Sequence, residues 1–201
     1  RFKLGKPVLF KQPRPGVVRN GKETIFDMYK FRSMTDERDE NGDLLPDDKR
    51  LPPFGATLRS TSLDELPEVF CILKGTMSVI GPRPQLVRDM VFMSDKQRMR
   101  HTAKPGLTGL AQVKGRNAIT WEDKLDWDLK YIEKVSFIGD VKILFQTVAA
   151  VFKRSGITDG ENATALDYGD ALLKAGKVSK EKYDALQAHA KNLVTEHLEN
   201  C

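Results

Sequence analysis

The sequence predicts an α+β fold, in which a small β-hairpin or sheet and several amphipathic and interfacial helices surround one compact core, with a C-terminal helical hairpin added. Three observations predict it. Strand-like runs near the N-terminus are bounded by turn residues, later segments keep apolar residues at helical spacing, and 201 residues suffice for one good core with a small appendage. The composition turns small and polar beyond Gly156, which divides the chain into a main domain over 1–156 and a linker with helical appendage over 157–201.

Val8–Phe10 and Thr24–Phe31 are the strand-like runs, and Pro13, Pro15-Gly16 and Asn20-Gly21 between them are turn signals, so a hairpin is expected. Lys30 and Arg32 stand where the chain leaves its second arm. The acidic stretch TDERDENGDLLPDDKR then offers Asp39, Asn41 and Asp43 at calcium-loop spacing. Leu44 occupies the place of the required glycine and Arg50 that of the required glutamate, so a solvated loop with an Asn41-Gly42 turn is the better reading.

The stretch RSTSLDELPEVFCILKGTMSVIGPRP organises the rest. With Ser62 as helix cap, Pro67 would fall at the fifth position and clash with the preceding turn; a cap at Asp64 puts it at the third. Leu66, Val69, Phe70 and Leu73 then form one apolar stripe, for a core or a bilayer surface. Asp64 has an ordinary cap as its plainer role. An ionised carboxylate at a helix start, with Arg59 and Arg83 arriving from either side, also suits a nucleophile that attacks phosphorus while cations hold the phosphate oxygens. Pro82 and Pro84 stiffen the backbone that presents Arg83.

A helix is expected over Leu86–His101, followed by PGLTGLAQVKGRN with a short strand-like LAQV. Its glycines lack dinucleotide spacing but suit close backbone approach to a ligand. Trp121–Lys134 reads as a helix whose Trp121 and Trp127 serve either core packing or membrane anchoring. Asp140–Arg154 reads as a second amphipathic helix starting at Gly139-Asp140. Helices over Thr164–Ala175 and Ser179–Leu198, joined at Gly176-Lys177, are expected to pack on the main domain, on a partner or on a second copy of the chain as a homo-oligomer.

Hydrophobic residues are 40% and charged residues 30%, so the chain is globular, and a net charge of +5 points to anionic partners. Cys71 and Cys201 provide neither a disulfide framework nor a zinc spacing, which implies a reducing, cytoplasmic setting. The scattered His101, His189 and His197 give no support to a triad. No apolar run reaches the roughly 18–20 residues of a membrane span. The basic RFKLGKP at the start is of the kind that flanks a membrane segment on its cytoplasmic side, so removal of an upstream segment is expected.

Taken together, YKFRSM, LRSTSLDELPEVFCILKGTMSVIGPRP, PGLTGLAQVKGRN and FIGDVKI resemble the bacterial sugar transferase family. These are the monotopic polyprenyl-phosphate phosphoglycosyl transferases that begin membrane-linked glycan assembly. The resemblance covers about Gly5 to Gly156, in several long motifs in order, and is closest to the small, minimal members. It implies transfer of a sugar 1-phosphate from a UDP-sugar to a polyprenyl phosphate at the cytoplasmic face of the bacterial inner membrane, with release of UMP. Two steps through a covalent phosphosugar enzyme and a need for magnesium (Mg2+) are implied as well. On the matching positions, Asp64 is implied as nucleophile and Glu65 as its dyad partner and magnesium contact. Arg59, Arg83 and Arg116 are implied to hold phosphate oxygens, with Lys30 as a further basic contributor and Asp140 as an active-site acid. The family's N-terminal hydrophobic helix, which enters and leaves the membrane on one side, has no counterpart in the sequence, and the C-terminal hairpin lies outside the resemblance.

Two other classes stay open. One is a basic binding module for nucleic acid or anionic membrane, although the basic residues are dispersed among acids and no aromatic-and-basic platform is present, so nucleic acid is not expected as a partner. The other is a nucleotide-sugar hydrolase that uses water in place of the lipid acceptor.

Overall fold

The structure, a computed structural model, describes residues 4–115, 119–152 and 166–200. It has the expected α+β architecture. Strands β1 (Leu9–Arg19) and β2 (Lys22–Phe31) form the antiparallel hairpin. Asn20 and Gly21 turn it with φ of 51° and 74°, the left-handed pair of a two-residue turn that matches strand twist.

Pro13 and Pro15 do not separate the strand runs but lie inside β1, opposite Asp27 and Ile25. The reason is parity. Arg32 N–H donates to Val8 O at 2.9 Å, which makes the even-numbered β1 positions the hydrogen-bonded ones. Both prolines therefore sit where an amide would face the open edge, and no ladder bond is lost.

The acidic loop turns at Asn41-Gly42 as expected. Asp39 Oδ1 accepts from the Asn41 and Asp43 amides, each at 2.9 Å. Two helices that the sequence reading did not anticipate follow, α1 (Asp47–Arg50) and α2 (Pro53–Ser60). The central stretch is a 3-10 turn (Leu63–Glu68) that continues into α3 (Val69–Leu73). Asp64 is not its cap. Ser62, at φ 56°, holds that position, and Pro67 is tolerated because 3-10 winding does not bring the Leu63 carbonyl against its ring as α winding would.

Strand β3 (Ser78–Ile80) comes next, and the expected Leu86–His101 helix is broken into α4 (Val87–Met90), α5 (Asp95–Arg98) and a 3-10 turn (Met99–Thr102). A Ser94–Gln97 capping box restarts the chain in the middle. β4 (Gly106–Thr108) pairs in parallel with β3, and LAQV belongs to helix α6 (Leu110–Gly115) rather than to a strand. Two glycines of this stretch permit a close approach to backbone: a Cβ on Gly106 would lie 2.1 Å from Gly81 N, and one on Gly109 2.1 Å from Gly81 O.

Helix α7 (Trp121–Glu133) forms where the spacing predicts it, and Thr120 caps it. Trp121 packs on Tyr168 at 5.3 Å between ring centroids, which is the packing role. Helix α8 (Phe137–Phe152) starts before Asp140, because the Ser136 hydroxyl accepts from Gly139 N–H at 3.2 Å. Helices α9 (Tyr168–Lys174) and α10 (Lys180–Glu199) dock on the main body. Leu186, Ala190, Leu193 and Val194 of α10 pack with Val87, Met90 and Val91, and Tyr168 packs with Met93 and Leu125. The expected linker and the start of its first helix at Thr164 lie outside the described residues.

The hairpin is joined to the central stretch by Phe26, Met28, Cys71 and Met77, all buried. By contrast the stripe of Leu66, Val69, Phe70 and Leu73 is exposed, as are Phe137, Ile138 and Phe145 on α8. Among the described residues no helix is long and apolar enough to cross a membrane.

Candidate active site

Four elements meet around the carboxylates of the 3-10 turn. β2 packs against that turn and brings Lys30, α2 brings Arg59, and the rigid Pro82-Arg83-Pro84 brings Arg83. In a 3-10 turn, side chains at i and i+3 eclipse, so Glu65 and Glu68 share one side. Lys30 Nζ lies between them, 2.8 Å from Glu65 Oε1 and 3.3 Å from Glu68 Oε1.

Arg83 grips Glu65 with both arms. Its Nη2 donates to Oε1, and its Nη1 donates to Oε2 at 3.4 Å. Burial pushes the Glu65 carboxyl up, but Arg83 and Lys30 outweigh it and hold the group well below the usual carboxylate range. Glu65 is thus favoured in its ionised form and tied down.

Asp64 next to it is in the opposite condition. It is 8% exposed, and no hydrogen bond or ion pair within the described residues ends on its carboxylate. Burial raises its pKa, Lys30 opposes that, and the Glu65 charge adds to it. A raised pKa makes an ionised carboxylate a stronger nucleophile, and the nearby Lys30, Arg59 and Arg83 cations keep the ionised form accessible.

Arg59 touches neither carboxylate directly. Its Nε donates to Ser33 Oγ at 3.0 Å and its Nη2 reaches Met34 Sδ at 2.9 Å, which fixes the guanidinium beside the site. Asp140 is not joined to this cluster. Tyr131 donates to Asp140 Oδ1 at 3.0 Å and lies 3.4 Å from Ile80 O, so Asp140 braces the strand that leads to Arg83. Arg116 lies outside the described residues.

Several groups escaped the sequence reading. Glu68, 1% exposed, was legible only from the i, i+3 spacing of a 3-10 turn. Arg14, in a strand first read as turns, donates to Pro84 O at 3.2 Å. Arg100 and Asp128 form a fully buried pair, with Nη2 to Oδ2 at 2.6 Å, across 28 residues and without any local signal.

Among the described residues no three His, Cys, Asp or Glu side chains come together as a metal cage. Magnesium seldom uses one: it takes one or two carboxylates and completes its shell with water and substrate phosphates. Glu65 fits that donor set, since its two carboxylate oxygens offer about four lone-pair sites, not all of which Lys30 and Arg83 use.

Residues 1–154 match the family described as bacterial sugar transferase. The chain is 49% identical over 165 residues to the uncharacterized sugar transferase EpsL of Bacillus subtilis, covering 82% of this chain and 80% of that one. It is 36% identical over 169 residues to the undecaprenyl-phosphate galactose phosphotransferase of Salmonella typhimurium, covering 76% of this chain and 35% of that one. The UDP-glucose:undecaprenyl-phosphate glucose-1-phosphate transferase of Klebsiella pneumoniae is 41% identical over 152 residues, with 71% and 32% covered. The chain therefore spans about a third of the length of these last two relatives. With a family match over most of its length, the chain belongs to the bacterial sugar transferase family.

Proposed function

We propose that this protein transfers a sugar 1-phosphate from a UDP-sugar to a polyprenyl phosphate, through a covalent phosphosugar-aspartate intermediate and with release of UMP. The observation that carries the reading is the division between adjacent carboxylates: Glu65 is clamped by Arg83 and Lys30, while Asp64 is buried with its oxygens unbonded among the described residues. The names of the Salmonella and Klebsiella relatives support the donor and acceptor classes.

In the first step an Asp64 oxygen attacks the phosphorus that carries the sugar. The bond from that phosphorus to the UMP oxygen breaks, and UMP leaves with the bonding pair. In the second step a phosphate oxygen of the polyprenyl phosphate attacks the same phosphorus, the bond to Asp64 breaks, and the carboxylate is restored. Arg83 and Arg59 hold the equatorial oxygens during both displacements, and Lys30 keeps Glu65 ionised. Glu65 would hold magnesium, whose charge would offset that of the diphosphate.

The exposed stripes of α3 and α8 fit a protein that sits on the cytoplasmic face of the bacterial inner membrane, where the lipid acceptor is delivered. Intact-protein mass spectrometry with magnesium and a panel of UDP-sugars tests the chemistry. A gain of one sugar phosphate, absent in Asp64→Asn, is expected. An Asp64→Asn protein that still forms the adduct would remove Asp64 from its role, and steady release of free sugar phosphate without acceptor would mark a hydrolase.

A further inference from the structure

Three successive main-chain oxygens of the Pro82-Arg83-Pro84 segment are each held by a different element. The Gly106 amide donates to Pro82 O at 3.0 Å, Arg100 Nη2 to Arg83 O at 2.5 Å, and Arg14 Nη1 to Pro84 O at 3.2 Å. Proline has no N–H, so for two of these three residues the carbonyl is the only main-chain handle. The segment is thus fixed from β4, from the 3-10 turn after α5 and from β1.

We propose that Arg14 and Arg100 are positioning residues for Arg83. Neither reaches Asp64 or Glu65; each holds the backbone that aims the Arg83 guanidinium at Glu65. The proposal rests on the reading of Arg83 as a phosphate-holding cation.

Both arginines are also bonded to a second, orienting partner. Asp128 Oδ2 accepts from Arg100 Nε at 2.9 Å and from Nη2 at 2.6 Å, and Gln12 Oε1 accepts from Arg14 Nη2 at 2.6 Å. A planar guanidinium suits this use, since it can bond an orienting partner and a carbonyl together. The Arg14 site is a costly one for a cation. Its Nε is shielded from solvent with no hydrogen-bond partner among the described residues, and burial together with the neighbouring Arg83 lowers its pKa to about 10. Packing alone would be served better by an apolar side chain there. The Asp89, Glu68 and Asp167 carboxylates offset part of that cost, and the bond to Pro84 O is the contact that the cation makes with the segment.

The consequence concerns reach. A small displacement of a group that holds the reacting phosphate lowers the rate by up to about 100-fold. Without Arg14 the Pro84 carbonyl is released, and the error is passed to Arg83 through a chain that can hinge only at the remaining two anchors.

The test is Arg14→Met, which keeps the stem and removes the donor, measured in two ways. A crystal structure of the variant without substrate is expected to show Arg83 displaced from Glu65. Adduct formation and turnover are expected to fall by about 10-fold to 100-fold, with little further loss when Arg14→Met is added to Arg83→Ala, because both changes act through one side chain. An unmoved Arg83–Glu65 contact overturns the proposal, and so does an equal loss in both backgrounds, which is what general destabilisation would give.

Arg14→Lys is the second variant, in case Arg14→Met does not fold. Its single ammonium is expected to restore part of the activity and to show the same lack of additivity with Arg83→Ala. Failure of both variants to fold would make Arg14 a structural residue and end the proposal. If the wild-type protein itself shows no transfer, the functional reading falls, while the crystal structure still decides the positioning of Arg83.

Discussion

Lys30 Nζ lies 2.8 Å from Glu65 Oε1, so the end of the hairpin supplies the counter-charge for a carboxylate that is far along the chain. Among the described residues the same ammonium is the one ion-pair partner of Glu68, at 3.3 Å. Removing one member of a buried pair leaves an uncompensated charge, at a cost of about 3–5 kcal/mol. Lys30→Met is therefore expected to lose stability of that order in urea unfolding and to lose transfer. Adding Glu68→Gln is expected to return part of the stability, because it removes the orphaned charge, without returning activity. A Lys30→Met protein as stable as wild type would mean that Glu68 is protonated in the native protein.

The Asp64 carboxyl has a pKa above its ordinary 3.8, chiefly through burial. The folded protein then holds this proton more tightly than the unfolded chain does. The stabilising contribution is present below the unfolded-state pKa and is lost as pH rises through the folded-state value, so at neutral pH the ionised group is a net cost. Asp64→Asn is expected to abolish the adduct while raising the melting temperature at neutral pH. A gain of 1 kcal/mol corresponds to about 2–4 °C in a domain of this size. That advantage should shrink on acidification, and the acid limb of adduct formation in the wild type should have its midpoint above that of an ordinary aspartate. A lower melting temperature for Asp64→Asn at neutral pH would show that the cations dominate burial at this site.

Much of this arrangement was legible in the residues, and the exceptions have physical causes. Asn20-Gly21 between alternating runs specifies a hairpin locally, and Pro82-Arg83-Pro84 declares a stiff presentation of Arg83. The prolines of β1 were misread because their meaning depends on hydrogen-bond parity, which the partner strand sets. The start of the central turn was misplaced because 3-10 winding tolerates a proline that α winding does not. The apolar stripe of Leu66, Val69, Phe70 and Leu73 was found correctly, yet periodicity cannot say what it faces, and the structure leaves it exposed. Arg100 and Asp128 meet only after the whole domain has folded.

Arg59 depends on a contact made by a glycine. A Cβ on Gly55 would lie 1.8 Å from Ser33 O and 2.9 Å from its carbonyl carbon, so α2 and the segment just after β2 touch through bare backbone. Arg59 Nε in turn is bonded to Ser33 Oγ. Gly55→Ala must push α2 off this seat, and overpacking of this kind costs about 1–3 kcal/mol. A lower melting temperature and slower adduct formation are expected together, both larger than for Ser33→Ala, which removes only the hydroxyl. Normal adduct formation by Gly55→Ala would show that the position of Arg59 does not limit the reaction.

Helix α8 carries two kinds of apolar residue, and they separate folding from membrane attachment. Ile143 is 5% exposed and packs with Ile80 and Tyr131, whereas Phe137 and Ile138 are 83% and 81% exposed. Ile143→Ser is expected to cost about 2–3 kcal/mol of folding stability, because it removes buried apolar surface. Phe137→Ser with Ile138→Ser removes surface that the protein itself does not bury, so the melting temperature should not fall. If these side chains enter the lipid interface, each contributes about 1.5–3 kcal/mol there. Co-sedimentation of the double variant with vesicles containing phosphatidylglycerol should then weaken by at least about tenfold, since 1.4 kcal/mol is one decade of affinity. Raising salt should not reproduce the loss, because screening acts on lysines and arginines and leaves the apolar contribution in place. Unchanged vesicle binding by a folded double variant would exclude this end of α8 from the membrane contact.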